Sequence, residues 1–533
     1  MTQAGPGNAS TLDRRLPAIT SLGAMVGLVG GMGAWAFRLM IGLIHNLAFL
    51  GRLSFSYDAN QHTQSSPWGV FVVLVPIAGS VVVVYLVKHF APEARGHGVP
   101  EVMDAVYYRG GVIRPIVAVV KAVASAVSIG TGGSVGREGP IVQIGSAFGS
   151  SVGQLRHLSV ADKQLLIAAG SAAGIAATFN APVGGVLFAL ELLMVSVSAR
   201  GLLVVGVAVA SGVSVARALL GSGLSFAVLD LQHVTPLTTD WVQLLVVAGL
   251  GMVVGVLSTV LIRGLYVTED LFDGHFRNSY VAHAVGMAGV GVIILAFHSW
   301  LGVYAVEGVG YATILDVLTG ALTSPLILLA LLVGKAVVTF LTLGSGASGG
   351  VFSPSLFVGA TGGALIGHLL VLAGVPVDPV VLALSGMAAT VAGTTGAVLT
   401  GVVMVTEMTG DFGAAVPLLL AAAVALAVRR RLSPASIYTE KLSRRGLWVP
   451  SGLRPAGVDA IRARDLMISS RVLPDAFGSI DADASLFQVI GALENAPVVR
   501  VIESGRDVGV IERAGLDEEL HQLGVHGSSR VRS

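Results

Sequence analysis

The sequence predicts an all-α protein that crosses a membrane many times and ends in a small α/β domain. Of its 533 residues, 54% are hydrophobic and only 12% are Asp, Glu, Lys or Arg, with a mean hydropathy of +0.82. A soluble chain needs about a quarter charged residues to cover its surface, so lipid must cover most of this one. The 70 glycines lie among Val, Leu, Ala and Ile, which is typical of closely packed membrane helices.

Composition also limits the partners of the chain. There is no cysteine, which excludes disulfides and thiolate metal sites, and we expect no metal or cofactor. The net charge of +1 suggests no nucleic-acid partner. Residues 1–18 are polar and lack the short apolar run of a signal peptide. We therefore interpret them as a cytosolic tail.

Apolar runs fill the chain from residue 19 to residue 428. The clear runs cover 20–35, 69–87, 115–129, 203–219, 241–262, 284–296, 326–343 and 414–428. Three others, 139–152, 181–197 and 349–370, look too short or too interrupted to cross about 30 Å of hydrocarbon alone. Broken helices at membrane depth are tolerated where they are buried or line a cavity, which points to a transport protein.

Basic residues flank the apolar block at both ends, at 14–15 and at 429–431. The positive-inside rule then places both termini in the cytoplasm and predicts an even number of crossings. We expect a multi-pass protein of the inner or plasma membrane.

An internal repeat divides the apolar block. Residues 176–191 and 392–407 both run from small residues through an apolar helix to a glutamate, Glu191 or Glu407. Each follows a Gly-rich segment that contains a proline. Chance recurrence of small residues is the alternative, but the two pairs recur in the same order. Corresponding broken segments in two halves predict a site at the repeat interface.

Three short segments share one physical design. They are 96–101 (Gly-His-Gly-Val-Pro-Glu), 136–140 (Gly-Arg-Glu-Gly-Pro) and 344–354. Glycines let the backbone approach a ligand, and a proline then opens a helix whose free N–H groups and dipole favour an anion. A partial charge suits transport, because the ion must also leave. One such segment is an ordinary helix start, but three predict a shared anion site.

Glu138 is an acid inside the second segment. An ionisable residue at membrane depth is a functional candidate. Its carboxylate could occupy the place of the anion, and protonation would free it, which would link anion passage to pH. The structural alternative is a carboxylate paired with a neighbour such as Arg137.

These segments resemble the CLC family of chloride channels and transporters. Residues 136–140 match its Gly-Lys/Arg-Glu-Gly-Pro motif, 350–354 match Gly-x-Phe-x-Pro, and 96–100 match Gly-Ser-Gly-Ile-Pro with His97 in place of serine. The segment from Asn180 to Glu191 and Tyr438, near the start of the last apolar helix, also fit. The ordered match runs from residue 20 to residue 446.

The resemblance implies a homodimer in which each subunit has one chloride pathway between two halves of opposite orientation. The domain from 19 to 446 would hold this pathway within the lipid bilayer, and Glu138 would be the gate. The anion-binding residues that the resemblance implies are His97, Gly98, Arg137, Gly139, Val351, Phe352 and Tyr438.

The chain becomes more polar after residue 461. Residues 485–493 have helical spacing, and 497–502 and 507–511 are predicted strands joined by a turn. Residues 461–520 resemble one CBS module, which usually occurs in pairs. A single module suggests pairing across a dimer and leaves nucleotide binding open. Residues 521–533 are predicted to be disordered.

Leu192 departs from the family pattern. Exchangers of the family usually carry a second, inner glutamate directly after the position of Glu191, and leucine cannot carry a proton. The sequence therefore favours passive, channel-like conduction of chloride, gated by Glu138. A proton-coupled antiporter with an atypical internal proton path remains the alternative. A membrane-embedded enzyme is a third reading, but no catalytic motif supports it, so we expect no enzyme.

His97 is the second departure. A neutral imidazole can donate one N–H to an anion, and an imidazolium adds a charge. With an unperturbed pKa of about 6.5, histidine can also sense pH. Ligand, pH sensor and a side chain turned away to cap a helix all stay open. Lys121, in an apolar run, either adds positive potential or forms an ion pair, and Glu101 and Asp104 are expected to face the cytosol.

Overall fold

The computed structural model describes residues 6–226, 241–449, 463–467, 478–494, 496–503, 506–513 and 516. The first half contains the helices α1 (Pro6–Leu50), α2 (Leu74–Phe90), α3 (Val99–Tyr107), α4 (Pro115–Gly130), α5 (Glu138–Leu155), α6 (Val160–Phe179), α7 (Pro182–Phe188) and α8 (Ala199–Leu220). The second half contains α9 (Trp241–His275), α10 (Ser279–Leu301), α11 (Tyr311–Leu318), α12 (Pro325–Gly344), α13 (Phe352–Leu372), α14 (Pro379–Thr395), α15 (Val398–Thr409), α16 (Ala415–Leu432) and α17 (Ile437–Ser443).

Seven helices in the described part of the chain are long and apolar enough to cross a membrane. They are α1, α2 with the turn that precedes it, α8, α9, α10, α12 and α13. The predicted all-α polytopic fold is therefore confirmed. The even number of crossings stays a prediction, because shorter apolar helices such as α4 and α15 were counted neither way.

The expectation that residues 349–370 are too interrupted to cross was wrong. Helix α13 continues without a break from Phe352 to Leu372. Three of its four glycines face α14, where a Cβ added to Gly359 would lie 2.4 Å from the carbonyl oxygen of Gly386. Here glycine serves close helix packing and does not break the helix. The segment 181–197 does break, since α7 passes into a π-helical turn at Ala189–Leu193.

The N-terminal tail, predicted for residues 1–18, is helical in its described part. Helix α1 begins at Pro6 and runs on to Leu50. Proline is accommodated in the first turn of a helix, where its missing N–H has no partner to lose. Residues 1–5 lie outside the described residues.

The two repeats form matching helix pairs, α6–α7 and α14–α15. In each pair the first helix ends at a residue in the left-handed conformation, Asn180 (φ 53°) or Gly396 (φ 87°). The next helix begins two residues later, at Pro182 or Val398. The predicted division of the fold into two halves is thus visible in corresponding elements.

A small domain follows the helical part. It comprises α18 (Ala463–Leu466), β1 (Ser479–Asp481), α19 (Leu486–Glu494), β2 (Val498–Glu503) and β3 (Arg506–Glu512). The sheet order is β1-β2-β3, with β1 and β2 parallel and β2 and β3 antiparallel. The predicted helix and strands are confirmed. The predicted disordered tail, 521–533, lies outside the described residues.

Candidate anion site

The three Gly-rich segments meet at one point of the helical domain. Gly136 and Gly350 exchange two backbone hydrogen bonds, with N–O distances of 2.8 and 2.7 Å. The amide of Gly96 donates to the carbonyl of Ala347 at 2.9 Å, and that of Gly349 donates to the carbonyl of Gly96 at 3.2 Å. The starts of α3, α5 and α13 are therefore held side by side, as expected for a shared site.

Glu138 lies at this meeting point and is only 1% exposed. Its Oε1 accepts a hydrogen bond from the backbone N–H of Phe352 at 2.6 Å, and its Oε2 accepts one from the Ser353 hydroxyl at 3.1 Å. Both donors belong to the first turn of α13, where free N–H groups and the helix dipole favour negative charge. The carboxylate is thus bound as an anion would be.

Two glycines leave the space that this carboxylate fills. A Cβ on Gly350 would lie 2.1 Å from Oε1 of Glu138, and one on Gly136 would lie 2.1 Å from Oε2. These distances are far below van der Waals contact, so any larger residue would displace the carboxylate. Glycine is required here for close approach.

Arg137 does not pair with the neighbouring carboxylate. Its guanidinium lies over the ring of Tyr311, at 5.2 Å from the centroid, and over that of Phe179, at 5.8 Å. It lines a cavity of about 180 Å³ together with Arg38 and Arg217. The ion pair with Arg137 that was the structural alternative for Glu138 is therefore not formed, and Arg137 contributes to a basic cavity.

His97 and Tyr438 lie together, as the resemblance implied. The centroid of the His97 ring is 6.0 Å from that of Tyr438 and 6.3 Å from that of Tyr266. His97 is 3% exposed, and its Nδ1 has no hydrogen-bond partner among the described residues. Buried polar atoms are normally paired, so this nitrogen is free to receive a ligand.

Tyr438 has a different setting from the one expected. It lies in the first turn of the short helix α17, which follows the last long apolar helix. The capping box formed by Ser436 and Thr439 fixes the start of this helix. Tyr438 is 1% exposed and lies within electrostatic range of Glu138.

The remaining predicted residues supply backbone to the same place. Gly98 caps the start of α3, and Val351 caps the start of α13. Gly139 packs against the carbonyl of His97, because a Cβ there would lie 2.1 Å from that oxygen. Of the predicted anion-site residues, the structure brings all but the Arg137 side chain to one locus.

Leu192 lies in the π-helical turn after α7 and is 7% exposed. Its neighbour Glu191 accepts hydrogen bonds from the N–H groups of Leu399 and Thr400, at 3.1 and 2.8 Å. Glu407 does the same for Val183 and Gly184, at 3.0 and 2.8 Å. Each glutamate therefore binds the first turn of the other half's helix, which is a structural role.

Sequence reasoning missed Ser353 and Lys335, and it left the role of Lys121 open. Lys121 donates to the carbonyls of Ala94 and Gly96, at 3.0 and 2.6 Å, and forms no ion pair among the described residues. Lys335 binds two carbonyls before α11 in the same way, at 3.0 and 2.6 Å. The available signal was a lone lysine in an apolar run of each half.

Glu101 and Asp104 were expected to face the cytosol. The side of the membrane stays a prediction, but the structure shows that both carboxylates are paired with basic residues. The side chain of Glu101 is 8% exposed and pairs with Lys441 and Arg445, at 3.3 and 2.7 Å. Asp104 is buried and pairs with Arg109 at 2.6 Å. Basic residues therefore neutralise both acids where they are largely buried.

Comparisons with known proteins identify a matching family and similar relatives. The profile of the family described as "Voltage gated chloride channel" matches residues 79–430. The "H(+)/Cl(-) exchange transporter ClcA" of Vibrio parahaemolyticus is 31% identical over 444 residues, which cover 80% of this chain and 90% of the relative. The "Putative chloride channel protein ClcB-like" of Ralstonia nicotianae is 32% identical over 388 residues, with coverages of 71% and 86%.

One solved structure shows the same fold. A slow cyanobacterial Cl⁻/H⁺ antiporter aligns with a TM-score of 0.65 at 24% identity, over 81% of this chain and 98% of that one. At this identity the likeness supports the arrangement of helices, two halves with broken segments that meet centrally.

Proposed function

The chain belongs to the voltage-gated chloride channel family, and from this premise we propose that it exchanges chloride for protons across a membrane. A relative that shares 31% identity over most of both chains is named a H⁺/Cl⁻ exchange transporter. This name supports the alternative drawn from the sequence, a proton-coupled antiporter, better than the first reading of passive conduction. Members of the family move anions, which agrees with a role other than that of an enzyme.

One observation carries the proposal. The carboxylate of Glu138 is held by Phe352 and Ser353 at the start of α13, in the place where a transported anion would bind. A group that is both an anion and a base can be replaced by chloride only when it is protonated or displaced. Competition at this one position would therefore couple the movement of chloride to that of a proton.

The proposed cycle follows from the charges. A deprotonated Glu138 accepts the N–H of Phe352 and blocks the site. Protonation removes its charge, so the positive end of the helix dipole then favours chloride. Chloride enters as the side chain leaves, and the proton is released when the carboxylate returns. Because one group alternates between both partners, the two ions move in opposite directions.

We assign the other site residues to anion binding on the same reasoning. Backbone N–H groups of Val351 and Phe352, the hydroxyl of Tyr438 and the imidazole of His97 would surround the ion. Gly98 and Gly139 would let the backbone approach it, and Arg137 would attract anions to the basic cavity. Histidine in place of the family's serine leaves the order of preference among small anions to be measured.

Further features of the chain are part of the proposal. We assign the helical domain, 19–446, to a homodimer in the inner or plasma membrane, with both termini in the cytosol. The small domain, 461–520, would be a CBS-like module that pairs with its copy in the dimer. Its sheet and helix fit such a module, and its ligand, a nucleotide or none, is open.

Passive conduction is the second candidate, because Leu192 removes the usual inner acid and one relative is named a putative chloride channel. The purified protein in liposomes separates the two. An exchanger accumulates chloride against its gradient when a proton gradient is imposed, whereas a channel only dissipates the chloride gradient.

Glu138→Gln should abolish chloride uptake driven by protons, since the amide cannot carry a proton. Uptake that persists in Glu138→Gln would overturn the assignment of the gate.

A further inference from the structure

Proton exchange requires an inner entry for protons, and this requirement rests on the proposed function. The family position for an inner acid is Leu192, which is buried and apolar. The proton must therefore enter elsewhere. Another buried polar group must then receive the proton from surface water and lie between that water and Glu138.

A cavity of about 180 Å³ lies between α3, α4 and α5. At its surface end are Arg109 and Arg114, whose side chains are 55% and 54% exposed. At its other end is Gln143, which is 1% exposed. Since a buried water needs roughly 10–15 Å³ of such volume, the cavity can hold a chain of waters from the surface to Gln143.

Gln143 has an unused polar atom at the closed end. Its Nε2 donates to the carbonyl of Glu93 at 3.1 Å, but its buried Oε1 has no partner among the described residues. Because a buried acceptor without a partner costs about 1–3 kcal/mol, this atom is a natural place for water. Glu93 and Glu101 line the same cavity.

Beyond Gln143 lies the back of the anion site. Gly98 has a φ of 83°, and the point where its Cβ would lie is 2.9 Å from Oε1 of Gln143 and 3.2 Å from Cε of Lys121. The carbonyl of Gly139 is 3.0 Å from the same point. The absence of a side chain at Gly98 thus brings the cavity end, the lysine and the start of α5 together.

We propose that this cavity is the inner proton entry, and that a water held by Gln143 and the amine of Lys121 pass protons from its closed end toward Glu138. The Lys121 ammonium gives a proton toward the Glu138 carboxylate, which becomes a neutral carboxyl group. The amine then takes a proton from the water at Gln143, which is itself reprotonated along the chain of waters from the surface, and the ammonium is restored. One cycle moves one proton from the surface to Glu138 and returns Lys121 to its starting, charged form.

The charges around Lys121 are consistent with a group that carries protons. Its described hydrogen-bond partners are two carbonyls, so no contacting carboxylate fixes its charge. Glu101 and Glu138 lie within electrostatic range, as does the cation Lys441. Glu101 itself pairs with Lys441 and Arg445, which leaves Glu138 as the acid toward which the proton is drawn.

The test measures chloride and proton fluxes separately in liposomes that contain the full chain. Gln143→Leu keeps the size of the side chain and removes the polar end. We expect it to lower proton flux by at least about tenfold, as for the loss of one positioned proton-transfer group, while chloride flux persists. Gln143→Glu, which keeps a polar group, should retain coupling.

Gln154→Leu is the matched control. Gln154 lies on the same helix but donates to the carbonyl of Ile113 at 3.1 Å and the hydroxyl of Ser150 at 2.9 Å. It should leave the ratio of chloride to protons unchanged.

The outcomes are distinct. An unaltered protein that moves chloride without protons overturns the proposed exchange and this route together. Equal coupling in the unaltered protein and in Gln143→Leu overturns the route alone. A parallel loss of both fluxes in Gln143→Leu would assign Gln143 to packing and would also overturn the route.

Discussion

At the scale of single residues, the hydrogen bonds to the Glu138 carboxylate would set the pH at which the proposed gate opens. Glu138 accepts from one backbone amide and from one side-chain hydroxyl. The amide cannot be removed by substitution, but the hydroxyl of Ser353 can. Both bonds stabilise the charged, blocking form, so weakening either should make protonation and release easier.

Ser353→Ala should shift the pH dependence of chloride flux. A hydrogen bond to a charged group contributes about 1.5–3 kcal/mol. Its loss should raise the pH of half-maximal flux by about one to two units, because the blocking form is less favoured. The measurement is chloride flux from liposomes across a pH series.

The control for this prediction is Ser355→Ala. The Ser355 hydroxyl lies on the same helix but donates to the carbonyl of Val351 at 2.8 Å. An equal shift in both variants would mean that the effect arises from helix packing and would contradict the role of Ser353.

His97 allows a second prediction at this scale. If its imidazole donates to the anion, His97→Ala should weaken chloride binding by about fivefold, the equivalent of one ordinary hydrogen bond of about 1 kcal/mol. His97→Ser, which restores a donor, should recover most of the affinity. Calorimetric titration of the detergent-solubilised protein with chloride measures this.

His275→Ala is the control for His97. His275 is an exposed histidine on α9, bound to the carbonyl of Leu271. If His97→Ala and His275→Ala bind chloride equally well, then His97 is no ligand, and its unpartnered nitrogen needs another explanation.

Residue identities predicted much of the site because helix starts that bind anions need a few residue types at fixed spacing. Glu138, His97 and Tyr438 were each found by motif and lie together. Ser353 was missed although it stands in a recognised motif, because a hydroxyl has many local uses. The ion pairs of Glu101 could not be predicted, since its partners Lys441 and Arg445 are more than 300 residues away.

At the scale of elements, reciprocal hydrogen bonds from two glutamates hold the two halves together. Glu191 follows α7 and binds the first turn of α15, and Glu407 lies on α15 and binds the first turn of α7. Each carboxylate satisfies N–H groups that have no partner within their own helix. These reciprocal hydrogen bonds fix the short helices of both repeats against each other.

Glu407→Ala should therefore destabilise the fold by about 1–3 kcal/mol, because two N–H groups in the first turn of α7 lose a charged acceptor. Glu191→Ala should do so to a similar extent, although Thr400 also donates its hydroxyl to Glu191. Thermal unfolding in detergent, followed by circular dichroism, measures the change.

Glu407→Gln and Glu191→Gln are the matched controls, since each keeps one acceptor oxygen and should lose less stability. If the alanine variants melt at the same temperature as the unaltered protein, these hydrogen bonds do not stabilise the fold.

The sequence predicted the repeat but not the length of its helices. Segment 349–370 was expected to break because glycines interrupt it. Whether a glycine breaks a helix depends on the element opposite, and here Gly359 and Gly386 face each other across two continuous helices. That partner is a property of tertiary packing, which spacing along one segment does not contain.

At the scale of the whole molecule, α3 connects the anion site with the small domain. Its first residue follows Gly98, and its last, Tyr107, contacts the ring of Phe487 on α19 with centroids 5.1 Å apart. The next residue, Tyr108, donates to the carbonyl of Trp448. A nine-residue helix is short and stiff, so movement at one end should reach the other.

Phe487→Ala should therefore alter a site that it does not touch. Edge-to-face aromatic contacts contribute about 0.5–1.5 kcal/mol beyond burial. If that contact helps to hold α3 in register, its loss should weaken chloride binding by up to about tenfold. The same calorimetric titration as for His97 measures this. Phe412→Ala is the control, because Phe412 is 72% exposed in the loop between α15 and α16. Equal affinities in both variants would show that the small domain does not act on the anion site through α3.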